Sequence, residues 1–285
     1  MPADPSPGKP GATGAPCGQR AALDALHARY NDRSWLEPDP LAVVLEYRRA
    51  ADLELAGLVC AALALGSAPQ IVKACRSVLS ALGRPRSGPG IAAGLSAMDD
   101  ASLGRALSGF RYRFFDGDDL AAFLAGARNL ALSHGSLEAA FLSGAADEGP
   151  GDADYAGAAS RFTLALRGAS PAPWKPNLFP DPARGSAAKR VFLYLRWMVR
   201  RDAVDPGPWR RADPARLLVP LDTHMAAACR RMGFLSRKST DLAAAREATA
   251  SFRALCPEDP VRWDFCMTRP GIRPDLDPDE CFGSL

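Results

Sequence analysis

Apolar residues in this chain recur at helical spacing, with no convincing alternation of period two, so its core has to be assembled from helices. Ala and Leu dominate while Val, Ile and Thr are sparse, a bias in the same direction. The stretch LAVVLEYRRA carries apolar side chains at 41, 44, 45 and 47, one helical stripe. The run from Leu53 to Ala68 is apolar nearly all round, which marks a central buried helix. Glu54 interrupts it, and it is short for a membrane span. Breaks divide the chain into about ten to twelve expected helices and no repeats. Pro40 and Pro69 open helices at their first positions. Asp52, Asp118 or Asp119, and Asp259 are the expected N-caps of others. The segment 168–185 holds five prolines and cannot be a regular helix. The N-terminal 1–18 has no apolar core, so it reads as a disordered tail and not a secretory signal. Residues 273–285 read as a second tail.

A chain of 285 residues makes one large domain or two small ones. Its seven Cys form no C-x-x-C pair, a usage that fits reduced thiols in a cytoplasmic protein. With three His, there is little basis for a metal centre, and none is expected. There is no Walker A loop, no G-x-G-x-x-G before a helix, no H-E-x-x-H and no G-x-S-x-G. Nucleotide hydrolysis, dinucleotide oxidoreduction and zinc proteolysis lose their usual markers.

The net charge of +3 is unevenly distributed. Positions 184–238 hold 13 Lys/Arg against 4 Asp/Glu, and the remainder 22 against 28. A basic segment in an otherwise acidic chain suits a polyanionic partner, or forms a solvated helical face. In GFRYRFFDGDD arginines interleave with aromatics. Tyr112, Phe114 and Phe115 are expected in the core; the other reading has bases stacking on them.

Within the basic segment two helix starts stand out. Gly185-Ser186 opens an apolar helix with Ser186 as N-cap, which puts Lys189 at the third helical position, where Glu or Gln is preferred. A lysine there faces the positive end of the helix dipole beside buried apolar residues. Both disfavour its ammonium form and make it a nucleophile. The other reading is a surface or phosphate-binding lysine. Asp222 is well placed to cap the helix that ends at Gly233. An ionised carboxylate there could also stabilise a developing positive charge or take a proton from the lysine. His224 is more ordinary as a structural helix-start residue than as an acid or base.

These segments resemble the helix-hairpin-helix DNA glycosylases, in which a G-x-x-x-K stretch supplies a nucleophilic lysine and a later V-D-T-H or V-D-Y-R stretch an aspartate. Gly185-Ser186-Ala187-Ala188-Lys189 resembles the first, and Leu221-Asp222-Thr223-His224 the second. Their 33-residue spacing is similar to that of the archaeal 8-oxoguanine glycosylase type. RYND, ALGSAPQI, FRYRFF, GSAAKRVFLYLRWMVRRD, LDTH and PEDPVRWDF together resemble an uncharacterised bacterial domain-of-unknown-function family over roughly residues 28–272. Two features depart from the glycosylase pattern. LFPDPARGSAAK replaces the L-P-G-V-G hairpin, and Cys256, Cys266 and Cys281 lack the spacing of an iron–sulfur site.

The resemblance implies an all-α, two-lobed fold. Residues 19–66 would pack with 220–272 as one lobe, and 67–219 would form the other. It implies a DNA glycosylase with AP lyase activity, without cofactors, acting as a monomer on double-stranded DNA in the cytoplasm. A damaged base, such as an oxidised purine of the 8-oxoguanine kind, would be flipped into the cleft. Lys189 would form a Schiff base and Asp222 would assist. Gly185, Ser186, Arg190, Arg230, Arg231, Arg237 and Lys238 would contact DNA. Gln70, Trp197, Trp209, His224 and Trp263 are the candidates for the base pocket, although Gln70 and the three tryptophans are more ordinary as packing residues. A non-catalytic nucleic-acid-binding protein, or an interaction protein whose Lys and Asp merely cap helices, are the alternatives.

Overall fold

The structure is a computed structural model that describes residues 15–83, 90–145, 154–273 and 275–277. Among the described residues it holds thirteen α-helices and one two-stranded sheet. The helices are α1 (Ala15–Tyr30), α2 (Leu41–Val44), α3 (Ala50–Ala62), α4 (Ala68–Leu82), α5 (Ile91–Ala97), α6 (Asp100–Leu107), α7 (Gly117–His134), α8 (Leu137–Ala145), α9 (Ala156–Gly168), α10 (Lys189–Val199), α11 (Thr223–Arg231), α12 (Leu242–Leu255) and α13 (Asp264–Ile272). Helix α1 starts at Ala15, inside the stretch expected as a tail; residues 1–14 and 278–285 lie outside the described residues. Among the described residues, no helix is long and apolar enough to cross a membrane.

Helix α3 is the hub. Every residue from Asp52 to Ala62 is buried, and it packs against α2, α4, α5, α8 and α10. Its crossing with α10 is close because Gly57 has no side chain: a Cβ there would fall 2.5 Å from Met198 Cε. Helices α6 to α9 pack on one another in sequence, and α13 packs against both α1 and α11.

Several expected caps lie elsewhere. Arg49, not Asp52, precedes α3; Asp52 instead accepts the Ala92 N–H of α5 at 2.9 Å. Its short side chain reaches the open amides of a neighbouring helix. Helix α7 is capped by Asp116 in a reciprocal box with Asp119, two residues ahead of the nearer expected cap, Asp118. Asp259 caps nothing in α13 and binds the Arg200 guanidinium at 3.0 Å. Among the described residues, the FRYRFF segment is the one that forms paired strands. Strands β1 (Arg111–Tyr112) and β2 (Phe115–Asp116) pair antiparallel, with Tyr112 opposite Phe115. Tyr112 and Phe115 are buried, as expected, while Phe114 sits on the turn and is 65% exposed. Two-residue hairpins put their tips in solvent, so Phe114 is not a core residue.

The basic segment also turns partly inward. Arg196 is buried and binds Asp205 at 2.9 Å and Asp264 at 2.5 Å. Arg200 is buried beside it and binds Asp202, Asp205 and Asp259. A buried guanidinium is tolerated only with carboxylates in reach. Part of the local charge excess is therefore consumed inside the molecule.

Candidate active site

Lys189 and Asp222 meet on the wall of a cavity of about 390 Å³. The wall includes Gly66 and Ser67 from the α3–α4 loop, Trp197 and Arg196 from α10, His224 from α11, and Asp264 and Thr268 from α13. Lys189 Nζ lies 2.9 Å from Asp222 Oδ2, with the two side chains 35% and 23% exposed.

The two helix starts differ in how they are built. Asp222 is extended (φ −110°, ψ −173°) and its Oδ1 accepts the Met225 N–H at 2.8 Å, so it is the N-cap of α11. Its second oxygen is left for Lys189. Burial opposes ionisation of this carboxyl, but the Lys189 ammonium and the Met225 N–H outweigh it and hold the group below its ordinary range. Ser186 does not cap α10. It forms an antiparallel bridge with Asp241 ahead of α12, and the helix begins at Lys189 itself. The residue before it, Ala188, is buried with φ 42°, a left-handed conformation uncommon for a side chain with a Cβ. Lys189 is thus the first helical residue, not the third.

The other expected site residues separate into groups. Trp197 and His224 line the cavity. Gln70 is exposed on the first turn of α4, outside the cavity wall. Trp209 and Trp263 are core residues and do not line the cavity. The indole N–H of Trp209 donates to Glu54 at 2.7 Å, and that of Trp263 to Asp24 at 3.1 Å. A buried indole keeps its polar edge satisfied, and these partners fix both rings away from the site. Gly185 (φ 86°) ends a 3₁₀ turn at Pro182–Arg184, and its carbonyl accepts the Leu242 N–H at 3.2 Å. Arg190 is directed inward: its guanidinium donates to the carbonyls of Ala62 and Asn177, and burial pushes its pKa down to about 10. It positions α10 and is not a free phosphate ligand. Arg230, Arg231, Arg237 and Lys238 gather at the exposed end of α11 and the following loop. Arg230 holds that loop through the carbonyls of Arg237 (3.0 Å) and Lys238 (2.9 Å), and Arg237 is 3.8 Å from Asp241.

The sequence reading missed Asp264. One oxygen binds Arg196, while Oδ1 is buried without a hydrogen-bond partner. Burial pushes this carboxyl above the ordinary range against the pull of Arg196, and the Asp222 charge adds to the rise. Its signal was Arg196, the one charged residue within the apolar run VFLYLRWMV two turns past Lys189, which demands a buried acid. Among the described residues, no group of three or more His, Cys, Asp and Glu is placed to hold a metal ion.

A family model described as Protein of unknown function (DUF2400) matches residues 39–273. The chain belongs to this family. The DUF2400 match spans both helix starts, the hairpin and Asp264. No curated protein and no solved structure matches the chain.

Proposed function

We propose that this DUF2400 protein is a base-excision DNA glycosylase with AP lyase activity, built on a two-lobed, helix-hairpin-helix glycosylase-like arrangement of its helices. The observation that carries the proposal is the Lys189–Asp222 pair at 2.9 Å on the wall of a cavity of about 390 Å³. That volume lies within the roughly 300–1,000 Å³ of small-molecule sites. The target nucleotide of double-stranded DNA leaves the stack and enters the cavity. An oxidised purine of the 8-oxoguanine kind is the proposed base, and a monomer acting in the cytoplasm the proposed form.

The chemistry uses one amine and one carboxylate. In the resting pair Asp222 is ionised, because its charged neighbour Lys189 and the Met225 N–H hold it below its ordinary range despite burial. The entering sugar separates the pair, and Lys189 hands one proton to the departing base. The amine then attacks C1′; the N–C1′ bond forms as the bond from C1′ to the base breaks, and the base departs with a proton. Ring opening of the sugar gives the Schiff base, and β-elimination cleaves the strand. Asp222, still ionised, stabilises the positive charge that develops on the sugar. The exposed Arg231, Arg237 and Lys238 cluster supplies phosphate contacts.

The pair at 2.9 Å is equally what a structural ion pair at a helix cap looks like. That favours, as the second reading, a nucleic-acid-binding protein without catalysis. Borohydride reduction separates the two. Under the first, a covalent complex forms with lesion-bearing duplexes and Lys189→Gln abolishes it. Under the second, no lesion in a panel is trapped, and salt-sensitive binding survives Lys189→Gln.

A further inference from the structure

The hairpin tip is the feature that the proposed activity leaves unexplained. Phe114 is one of three large apolar side chains with more than half of their surface exposed among the described residues. The other two, Leu132 and Leu164, border cavities that do not contain Lys189. Phe114 stands on a two-residue turn next to Arg113, whose φ of 55° is unusual for a residue with a Cβ.

The turn is fastened to the rim of the Lys189 cavity. The Tyr112 hydroxyl donates to the Leu65 carbonyl at 2.6 Å. The Arg113 guanidinium lies over Gly66, so close that a Cβ on that glycine would sit 2.5 Å from Nη2. Gly66 is itself part of the cavity wall. From the other side, the guanidinium of Arg190, which follows Lys189, lies 5.9 Å from the centre of the Phe115 ring. The hairpin is therefore held by both elements that frame the cavity. Its exposed face presents an aromatic ring flanked by Arg111 and Arg113, both exposed.

We propose that Phe114 is a wedge that enters the base stack of duplex DNA where the target nucleotide has left it. An apolar side chain inserted between base steps fills the space vacated by a flipped base and opposes its return. An aromatic ring suits this because it stacks on any base. Arg111 and Arg113 match the phosphates on either side of the opened step. A tip fixed on a short, hydrogen-bonded hairpin keeps the ring at one distance from the cavity, which a flexible loop would not. The inference rests on the base-excision reading and adds to it the residue that holds the duplex open.

The test uses the full chain and two forms of one oligonucleotide carrying 8-oxoguanine: paired opposite cytosine, and single-stranded. A second duplex carries 2-aminopurine next to the lesion. Phe114→Ala is expected to reduce borohydride trapping about 10-fold more on the duplex than on the single strand, since only the duplex has a stack to hold open. Phe114→Trp is expected to recover most of that loss. Binding of the natural chain raises 2-aminopurine fluorescence, and Phe114→Ala abolishes the rise. Equal losses on both forms, or an undiminished 2-aminopurine signal, overturn the wedge while leaving the excision reading intact. If the natural chain traps neither form, nor any lesion in a wider panel, nor an abasic duplex, the excision reading fails and the wedge with it.

Discussion

The two oxygens of Asp222 carry separate duties, and substitutions can separate them. Asn caps a helix about as well as Asp, whereas Ala forfeits about 1 kcal/mol. Asp222→Asn should therefore melt close to the natural chain while losing about 10²–10³-fold in covalent trapping, the scale of a lost electrostatic contact. Asp222→Ala should lose both, and calorimetry beside the trapping assay reads the difference. The carboxyl also reports its partner. Its folded pKa lies below the ordinary 3.8, so the pair contributes stability above that pH, which is lost as pH falls through the lower folded midpoint. In Lys189→Gln the midpoint should rise, because burial is then opposed only by the Met225 N–H and the nearby His224. Carboxyl carbon NMR measures it, and an unmoved midpoint would show that the ammonium is not what holds the proton off. At this scale the capping role of Asp222 was legible from its helix start. The meeting with Lys189, 33 residues away, was reached only through resemblance. Trp209 and Trp263 were misassigned because an indole in a sequence does not disclose whether its N–H faces an acid or a cavity.

Helix α10 does two jobs with one sequence. Its first residue enters the cavity, and Arg196, one turn before its end, and Arg200, its C-cap, anchor it among buried acids. Removing one partner of such a pair strands the other: Arg196→Leu should cost about 3–5 kcal/mol in urea unfolding at neutral pH. The stranded Asp264, and Asp205 left with Arg200 alone, are carboxyls whose folded pKa values burial raises. The deficit should accordingly shrink as the pH is lowered and they take up protons. A deficit independent of pH would mean that packing and not charge dominates. The apolar period made α10 itself plain in the sequence. What it hid was the start, because the bridge between Ser186 and Asp241 joins residues 55 positions apart. The β1–β2 hairpin was hidden for another reason: strands of two residues are too short to establish a period.

The buried apolar residues form one continuous cluster running from α1 to α13. Unfolding should thus be a single transition, coincident in far-ultraviolet circular dichroism and in fluorescence of the five tryptophans. Two separated transitions would instead identify lobes that fold independently. The helical class of the whole was evident from composition and period. The surface charge was not, since Arg196 and Arg200 count toward the basic segment yet are buried, and Arg190 turns inward onto the Ala62 carbonyl. That interior charge network also governs how the molecule responds to heat. The cost of keeping ions out of water falls as temperature rises, whereas apolar burial gains little more. The floor of the Lys189 cavity is thus held by contacts that weaken least on warming. Heating should therefore leave the geometry around Lys189 intact up to the single unfolding transition.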